Sequence, residues 1–348
     1  MPALRLLGAV LATTWSFAAA AGVVTDSAGR QVEIPDRIAR VIAAGPPASV
    51  LVTMLAPEKL IGWNRKPTAD ELPYLPPAVR NLPEIGRLTG RGGTMNLEAV
   101  VAAKPDLIVD FGSVSDTYIS LADRVQSQTA VPYLLIDGRF KNSTAAVRLI
   151  GNILGVGPRA ETLARRMEEI LREIDGVATT IPPAERPRVY LAHGLAGLET
   201  GNRGSINTEI IERVGAVNVV DAGVRGGLLT VSLEQVAAWN PDAIVTVDAA
   251  VAAHIRADPA WALVEAVKRG RVLLSPKLPY GWVDAPPAIN RWIGLEWLAR
   301  LLYPGRFADD MRAVARDFYR LFYQVDLNGP ELDTLLAGSE GKSLDKHP

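Results

Sequence analysis

Apolar and polar positions change period several times along the 348-residue chain. Val23 to Ile34 alternates around Ser27-Ala28-Gly29, the period-2 signature of a hairpin. The runs Val41–Ala44, Leu60–Trp63, Leu107–Asp110 and Tyr133–Asp137 are mostly apolar throughout, as strands covered on both faces are. Between them, Ala48–Leu55, Asn96–Ala103 and Ser115–Thr129 predict helices. Strands alternating with helices predict parallel sheets, so the fold class is α/β.

From Gly157 the period becomes that of a helix. Leu163, Met167, Ile170, Leu171 and Ile174 recur at three and four residues. Pro158 suits a first helical turn, and Glu161 sits near the positive end of the helix dipole. Prolines 182, 183 and 187 break the pattern, which then restarts. Strands are predicted at Val189–Ala192, Ala243–Val247 and Val272–Leu274, and helices at Asn207–Val214, Asn290–Leu302 and Phe307–Tyr323. The predicted organisation is a first lobe over residues 22–156, a backbone helix over 157–180, a second lobe over 181–337 and a disordered tail over 338–348. That is two Rossmann-like lobes with parallel sheets, bridged by a single long helix.

The halves echo each other. NLEAVVAAKPDLIV (residues 96–109) and SLEQVAAWNPDAIV (residues 232–245) agree without gaps at Leu, Glu, Val, Ala, Pro, Asp, Ile and Val. Each copy has a capping residue (Asn96, Ser232), a glutamate in the first turn (Glu98, Glu234), a Pro-Asp turn and an apolar strand. Asp106 and Asp242 fall in those turns, where local capping is their ordinary role.

Composition adds exclusions. Hydrophobic residues make up 48% and charged residues 22%, which is ordinary for globular chains. A net charge of -1 argues against a nucleic-acid partner. With no cysteine, thiolate metal sites and a cysteine nucleophile are excluded. The only histidines are His193, His254 and His347, so a multi-imidazole metal site is not expected. Residues 1–21 place Arg5 before the apolar run Leu6–Ala12 and end in small residues, which predicts a signal peptide and export to the periplasm. No G-x-S-x-G elbow, Walker A loop or H-E-x-x-H helix occurs, and no catalytic residues are assigned.

Ligand sites of open α/β sheets form at the carboxyl ends of strands. There the first half offers Trp63, Arg65, Lys66 and Phe111, with Arg87 and Arg91 in the loop before the first repeat. The second half offers His193, Arg203, Tyr280 and Trp282. Aromatics and arginines on facing lobes suit a bulky, anionic, partly planar ligand. The ligand-binding candidates are therefore Trp63, Arg65, Arg91, Phe111, His193, Arg203, Tyr280 and Trp282. A competing reading is an exported two-lobed enzyme using Asp284 or Glu199 as acid–base groups.

The exported start, the segment Thr25–Pro35 (TDSAGRQVEIP), both repeated units and Trp261–Val272 (WALVEAVKRGRV) resemble the periplasmic binding proteins of ABC importers for iron complexes. This is the helical-backbone, class III, TroA-like group, which includes siderophore-, haem- and cobalamin-binding members. The resemblance implies ligand capture in an interlobe cleft by a monomer and delivery to an ABC transporter permease and its ATPase. It also implies that Glu98 and Glu234 dock onto permease arginines. Among the metal complexes that group takes, the loop cations Arg65, Lys66, Arg87 and Arg91 suit an anionic chelate, first a ferric siderophore; cobalamin, haem and an oxyanion such as molybdate are the alternatives. Members often carry a Thr-Glu pair after the first strand's proline, where this chain has Ser49-Val50.

Overall fold

The computed structural model describes residues 22–90, 92–221, 223 and 227–339; the expected signal peptide, Arg91 and the chain beyond Ser339 lie outside them. The hairpin forms from β1 (Gly22–Thr25) and β2 (Gln31–Ile34), its turn held by Asp26 accepting from the amides of Ala28 and Arg30. Next come β3 (Val41–Ala43), β4 (Leu107–Gly112) and β5 (Tyr133–Asp137), which pair in that order as a parallel sheet. Helix α1 (Pro46–Leu55) follows β3 at once, α2 (Leu97–Ala103) precedes β4, and α3 (Asp116–Thr129) and α4 (Phe140–Ile153) flank β5.

Helix α5 (Gly157–Ala178) has 22 residues and so spans about 33 Å at 1.5 Å per residue. Its buried stripe of Leu163, Met167, Ile170 and Ile174 is the one the sequence pattern predicts. Arg148 of α4 pairs with Glu161 and Glu168 on this helix at 2.7 and 2.6 Å. Further along it, Arg166 pairs with Glu296 at 2.9 Å and Asp175 pairs with Arg213, both partners being in the second lobe.

The second sheet contains β6 (Arg188–Leu191), β8 (Val217–Asn218), β10 (Ala243–Thr246) and β11 (Val272–Leu274), all parallel, in the order β11-β10-β6-β8. Beside it, β7 (Glu199–Gly201) and β9 (Leu228–Thr230) pair antiparallel. The helices here are α6 (Glu209–Arg213), α7 (Leu233–Trp239), α8 (Ala249–Ala257), α9 (Glu265–Lys268), α10 (Arg291–Leu302), α11 (Met311–Phe318) and α12 (Gly329–Leu336). The two sheets correspond, β3-β4-β5 to β6-β10-β11. Leu60, bridged in parallel to Val41, takes the place beside β3 that β8 takes beside β6.

Period-2 alternation separates the faces even where every residue is buried. Val41, Leu107 and Val109 point into a core shared by both lobes and α5, while Ile42, Ile108 and Leu135 pack under α2 and α3. In the second sheet Val189 and Val245 join the shared core, and Tyr190, Ile244 and Val272 form the other face. The chain returns to the first lobe near its end. Arg159 of α5 donates to the carbonyl oxygens of Met54, Leu321 and Phe322, and the Tyr74 hydroxyl donates to Glu331 O at 2.9 Å.

Three expectations need correction, and one long helix goes unmarked by the sequence pattern. Leu60–Trp63 is not a strand but two single bridges, Val41–Leu60 and Trp63–Glu84. The pattern does not mark helix α4, because its first turns carry Asn142 and Ser143, which compete for backbone hydrogen bonds and favour caps and turns. The predicted helix Phe307–Tyr323 starts at Met311 and ends in a π turn over Tyr319–Tyr323. The disordered tail does not begin at Gly338, since Ser339 is buried and its carbonyl accepts the Trp297 indole N–H at 3.2 Å.

Candidate ligand cleft between the lobes

Both sheets point their carboxyl ends at a cleft of about 600 Å³. Its first wall begins where β3 passes through Gly45 into α1. A Cβ on Gly45 would lie 2.3 Å from Thr89 Oγ1, so the close approach of the neighbouring loop requires glycine there. Pro46 and Ser49 of α1 face the cleft. Ser49 donates its hydroxyl to Asn64 Oδ1, and Asn64 Nδ2 donates to Ala43 O at 2.8 Å and Gly86 O at 3.1 Å. One amide therefore stitches the strand end, the helix start and two loops together. Val50, the other residue of the departure noted in sequence, is buried.

Arg65, Thr68, Asp70, Glu71 and Arg87 complete this wall. Arg65 donates to Glu71 at 2.7 Å, and that hydrogen bond raises its guanidinium pKa above the ordinary value. Glu71 also accepts from the Thr68 amide at 2.8 Å, and Arg87 Nε donates to Gly92 O at 3.1 Å.

The second wall is the segment after β11, with Lys277–Gly281, Ala285 and Pro286, together with Val247 and Asp248 after β10. It is fastened from behind. The Trp282 indole donates to the Tyr319 hydroxyl at 3.1 Å, which donates to Leu278 O. Asn290 Nδ2 donates to Gly281 O and to Pro286 O, and Asn207 donates to Asp284 at 3.0 Å. Asp248 caps α8 by accepting from the Ala250 and Val251 amides. Burial pushes the Tyr280 phenol above its ordinary value, so it stays an O–H donor. Lys277 is exposed and makes no ion pair among the described residues.

Of the sequence candidates, the cleft brings together Trp63, Arg65 and Tyr280, along with Arg87. Trp63 is only 2% exposed and donates its indole N–H to Val79 O at 2.8 Å, so it forms the floor. Phe111 and Trp282 are corrections. Each is 1% exposed and in the shared core, because aromatic rings gain more from core contact than a cleft edge offers. His193 and Arg203 do not line the cleft either. His193 Nε2 lies 3.2 Å from Asp284 Oδ2 behind the second wall, and Arg203 is exposed beside Asp221 at 3.8 Å. Arg91 lies outside the described residues. Sequence reasoning missed Lys277, Asp70 and Asp248; Lys277 and Asp248 lie within three residues of strand ends, so the strand-end rule could have found them. Among the described residues no three His, Asp or Glu side chains gather closely enough to hold a metal ion.

Glu98 and Glu234 are exposed in the first turns of α2 and α7. Asn96 accepts from the Ala99 amide at 2.8 Å, and Ser232 and Gln235 form a reciprocal capping box. The Ser232 hydroxyl and its own backbone N–H hold the Glu234 carboxyl below its ordinary pKa.

Compared with known families, residues 61–278 match the one described as Periplasmic binding protein, a match over more than half of the chain. The chain belongs to the periplasmic binding protein family. The molybdate-binding protein MolA of Haemophilus influenzae is 28% identical over 347 aligned positions, covering 92% of this chain and 96% of that one. The solved ABC transporter solute binding protein from Sulfurospirillum deleyianum superposes with a TM-score of 0.81 at 28% identity, covering 90% of this chain and 98% of that one. The vitamin B12-binding protein of Salmonella typhi is 28% identical over 175 positions, 49% of this chain and 60% of that one. Its neighbours bear out the expected fold for this periplasmic binding protein, and no helix among its described residues is long and apolar enough to cross a membrane.

Proposed function

We propose that this protein captures a small oxyanion, with molybdate the first candidate, and hands it to an ABC transporter permease and its ATPase. The observation that carries this reading is the burial of Trp63, Phe111 and Trp282, which leaves the half-buried Tyr280, itself stacked on Tyr323, as the main aromatic ring at the cleft, a small platform for a haem or catecholate ring. What remains are hydrogen-bond donors and cations from both lobes, Arg65 and Arg87 on one side and Lys277 and the protonated Tyr280 on the other. Asp70, Glu71 and Asp248 offset the three cations, so recognition rests on placed donors rather than on net charge. The full-length likeness to a molybdate-binding protein supports the same reading.

A ferric siderophore is the second reading, and the cleft size favours it, since about 600 Å³ falls in the range of drug-sized pockets. Under either reading the protein binds without bond-making chemistry. The monomer docks through Glu98 and Glu234, is exported by residues 1–21, and closes little because α5 spans both lobes. Titration calorimetry of the purified protein with molybdate, tungstate, a ferric catecholate chelate, haem and cobalamin tests the ligand. Molybdate and tungstate are expected to bind; binding of the chelate alone would overturn the oxyanion reading.

A further inference from the structure

We infer that Arg40 and Arg188 are positioning residues that aim the two docking glutamates by clamping the far ends of their helices. This inference rests on the docking role of Glu98 and Glu234 proposed above. The repeat seen in sequence as fourteen residues extends in space to the strand beside it. Arg40 immediately precedes β3 and Arg188 opens β6, the corresponding strand. Arg40 Nη2 donates to Ala103 O at 2.7 Å and its Nε donates to Lys104 O at 3.0 Å. Arg188 Nη2 donates to Trp239 O at 2.7 Å. Ala103 and Trp239 are the last residues of α2 and α7.

The Pro-Asp turn closes the clamp from the other side. Asp106 Oδ2 accepts from the Ala39 and Arg40 amides at 2.7 and 2.8 Å, while the Asp106 amide donates to Arg40 O at 2.8 Å. Asp242 Oδ2 accepts from the Arg188 amide at 2.8 Å, and its amide donates to Arg188 O at 2.7 Å. Even the caps repeat, with Lys104 and Asn240 at φ values of 46° and 44°. Asp106 and Asp242 thus do more than cap a turn.

Each helix has seven residues, too few to hold a direction by itself in water. A guanidinium on the terminal carbonyls satisfies acceptors the helix cannot, and favours the negative end of its dipole. The lever is short but sufficient. Glu98 and Glu234 each stand five residues, about 7.5 Å, from the clamped end, so a swing of about 15° there moves the glutamate by about 2 Å. That displacement takes an ion pair out of hydrogen-bond reach.

The absence of native cysteine makes the test direct. Spin labels on E98C and E234C report one interlabel distance in the full chain. Adding R40M or R188M is expected to widen that distribution by about 2 Å or more, with circular dichroism and molybdate affinity near those of the parent. R40K and R188K, which retain one donor, are expected to give an intermediate width and carry the test if a methionine variant does not fold. In unlabelled protein expressed in its own host, R40M with R188M should reduce co-purification of the permease several-fold. An unchanged distance distribution, or unchanged co-purification despite a widened one, overturns the clamp. Undiminished co-purification by the E98K/E234K variant would instead overturn the docking reading itself, so the two failures are distinguishable.

Discussion

In the first lobe β3 runs into α1 across Ala44 and Gly45 alone, and the cleft wall is built from side chains on the loops beside it. In the second lobe β6 is followed by residues 192–208 before α6, with β7 inside that connection, and the wall comes instead from the segment after β11. Both walls are fastened by a buried amide, Asn64 in the first and Asn290 in the second, but they differ in how much of their lining is exposed. Arg65, Thr68 and Asp70 are exposed, whereas the segment Leu278–Pro286 is held by the buried side chains of Trp282, Asn290 and Asp284. One sheet plan therefore serves two tasks. Under the proposed function, exposed side chains of the first lobe can be exchanged at small cost in stability, and the second wall is the fixed surface against which a ligand would be held.

The largest expected effect of that difference is at Trp282. Removing a fully buried indole from a well-packed core costs about 3–5 kcal/mol, and here it also leaves the Tyr319 hydroxyl without its donor. Trp282→Ala should lower the unfolding free energy by that amount in guanidinium titrations. A loss below about 1 kcal/mol accompanied by weaker ligand binding would return Trp282 to the cleft and break the comparison.

Much of this plan was legible in the sequence, and the misses share a physical cause. Continuous apolar runs marked β3, β4, β5 and β10, and the 3.6 period marked α5 almost to its ends, because those elements bury a face whatever surrounds them. The repeated unit located α2 and α7 through their caps. Pattern does not report which way a strand-end side chain turns. Trp63, Phe111 and Trp282 sit at the sequence positions of a cleft and were drawn into the core by their area, while Lys277, with a hydrated ammonium, stayed at the edge. The Arg40 and Arg188 clamps were invisible because each joins residues over 50 positions apart.

A smaller effect lies beneath the first wall. Asp110 is buried in β4, accepting from the Tyr133 hydroxyl at 3.0 Å and from Thr89, whose loop carries Arg87 to the cleft. Desolvation outweighs those bonds and pushes its carboxyl up to about 6. A carboxyl raised in the folded state binds its proton more readily there than in the unfolded chain. Its stabilisation is therefore full below about pH 4 and is lost as pH rises through about 6. At about 1.4 kcal/mol per pKa unit, the whole change is roughly 3 kcal/mol at most. Urea titrations at pH 4, 5, 6 and 7 should show Asp110→Asn with a flatter pH profile than the parent; parallel profiles would show that the carboxyl titrates no differently in the fold.

The smallest effect on stability, and the sharpest on function, is expected at Arg65. Its side chain is 57% exposed and its ion pair with Glu71 belongs to the class worth at most about 1 kcal/mol, so Arg65→Ala should change stability by about 0.5 kcal/mol or less. Ligand affinity is another matter. Removing Arg65 withdraws a donor from the cleft and also uncovers the Glu71 carboxylate, and both changes disfavour an anion. Molybdate affinity should fall about tenfold, corresponding to about 1.4 kcal/mol. The second substitution separates the two contributions. If an anion is bound, Arg65→Ala with Glu71→Ala should recover part of the lost affinity, because the unmasked charge is gone. A double variant no better than the single one would mean that the ligand does not sense charge on this wall, and the exposed first lobe would lose its role as the discriminating side.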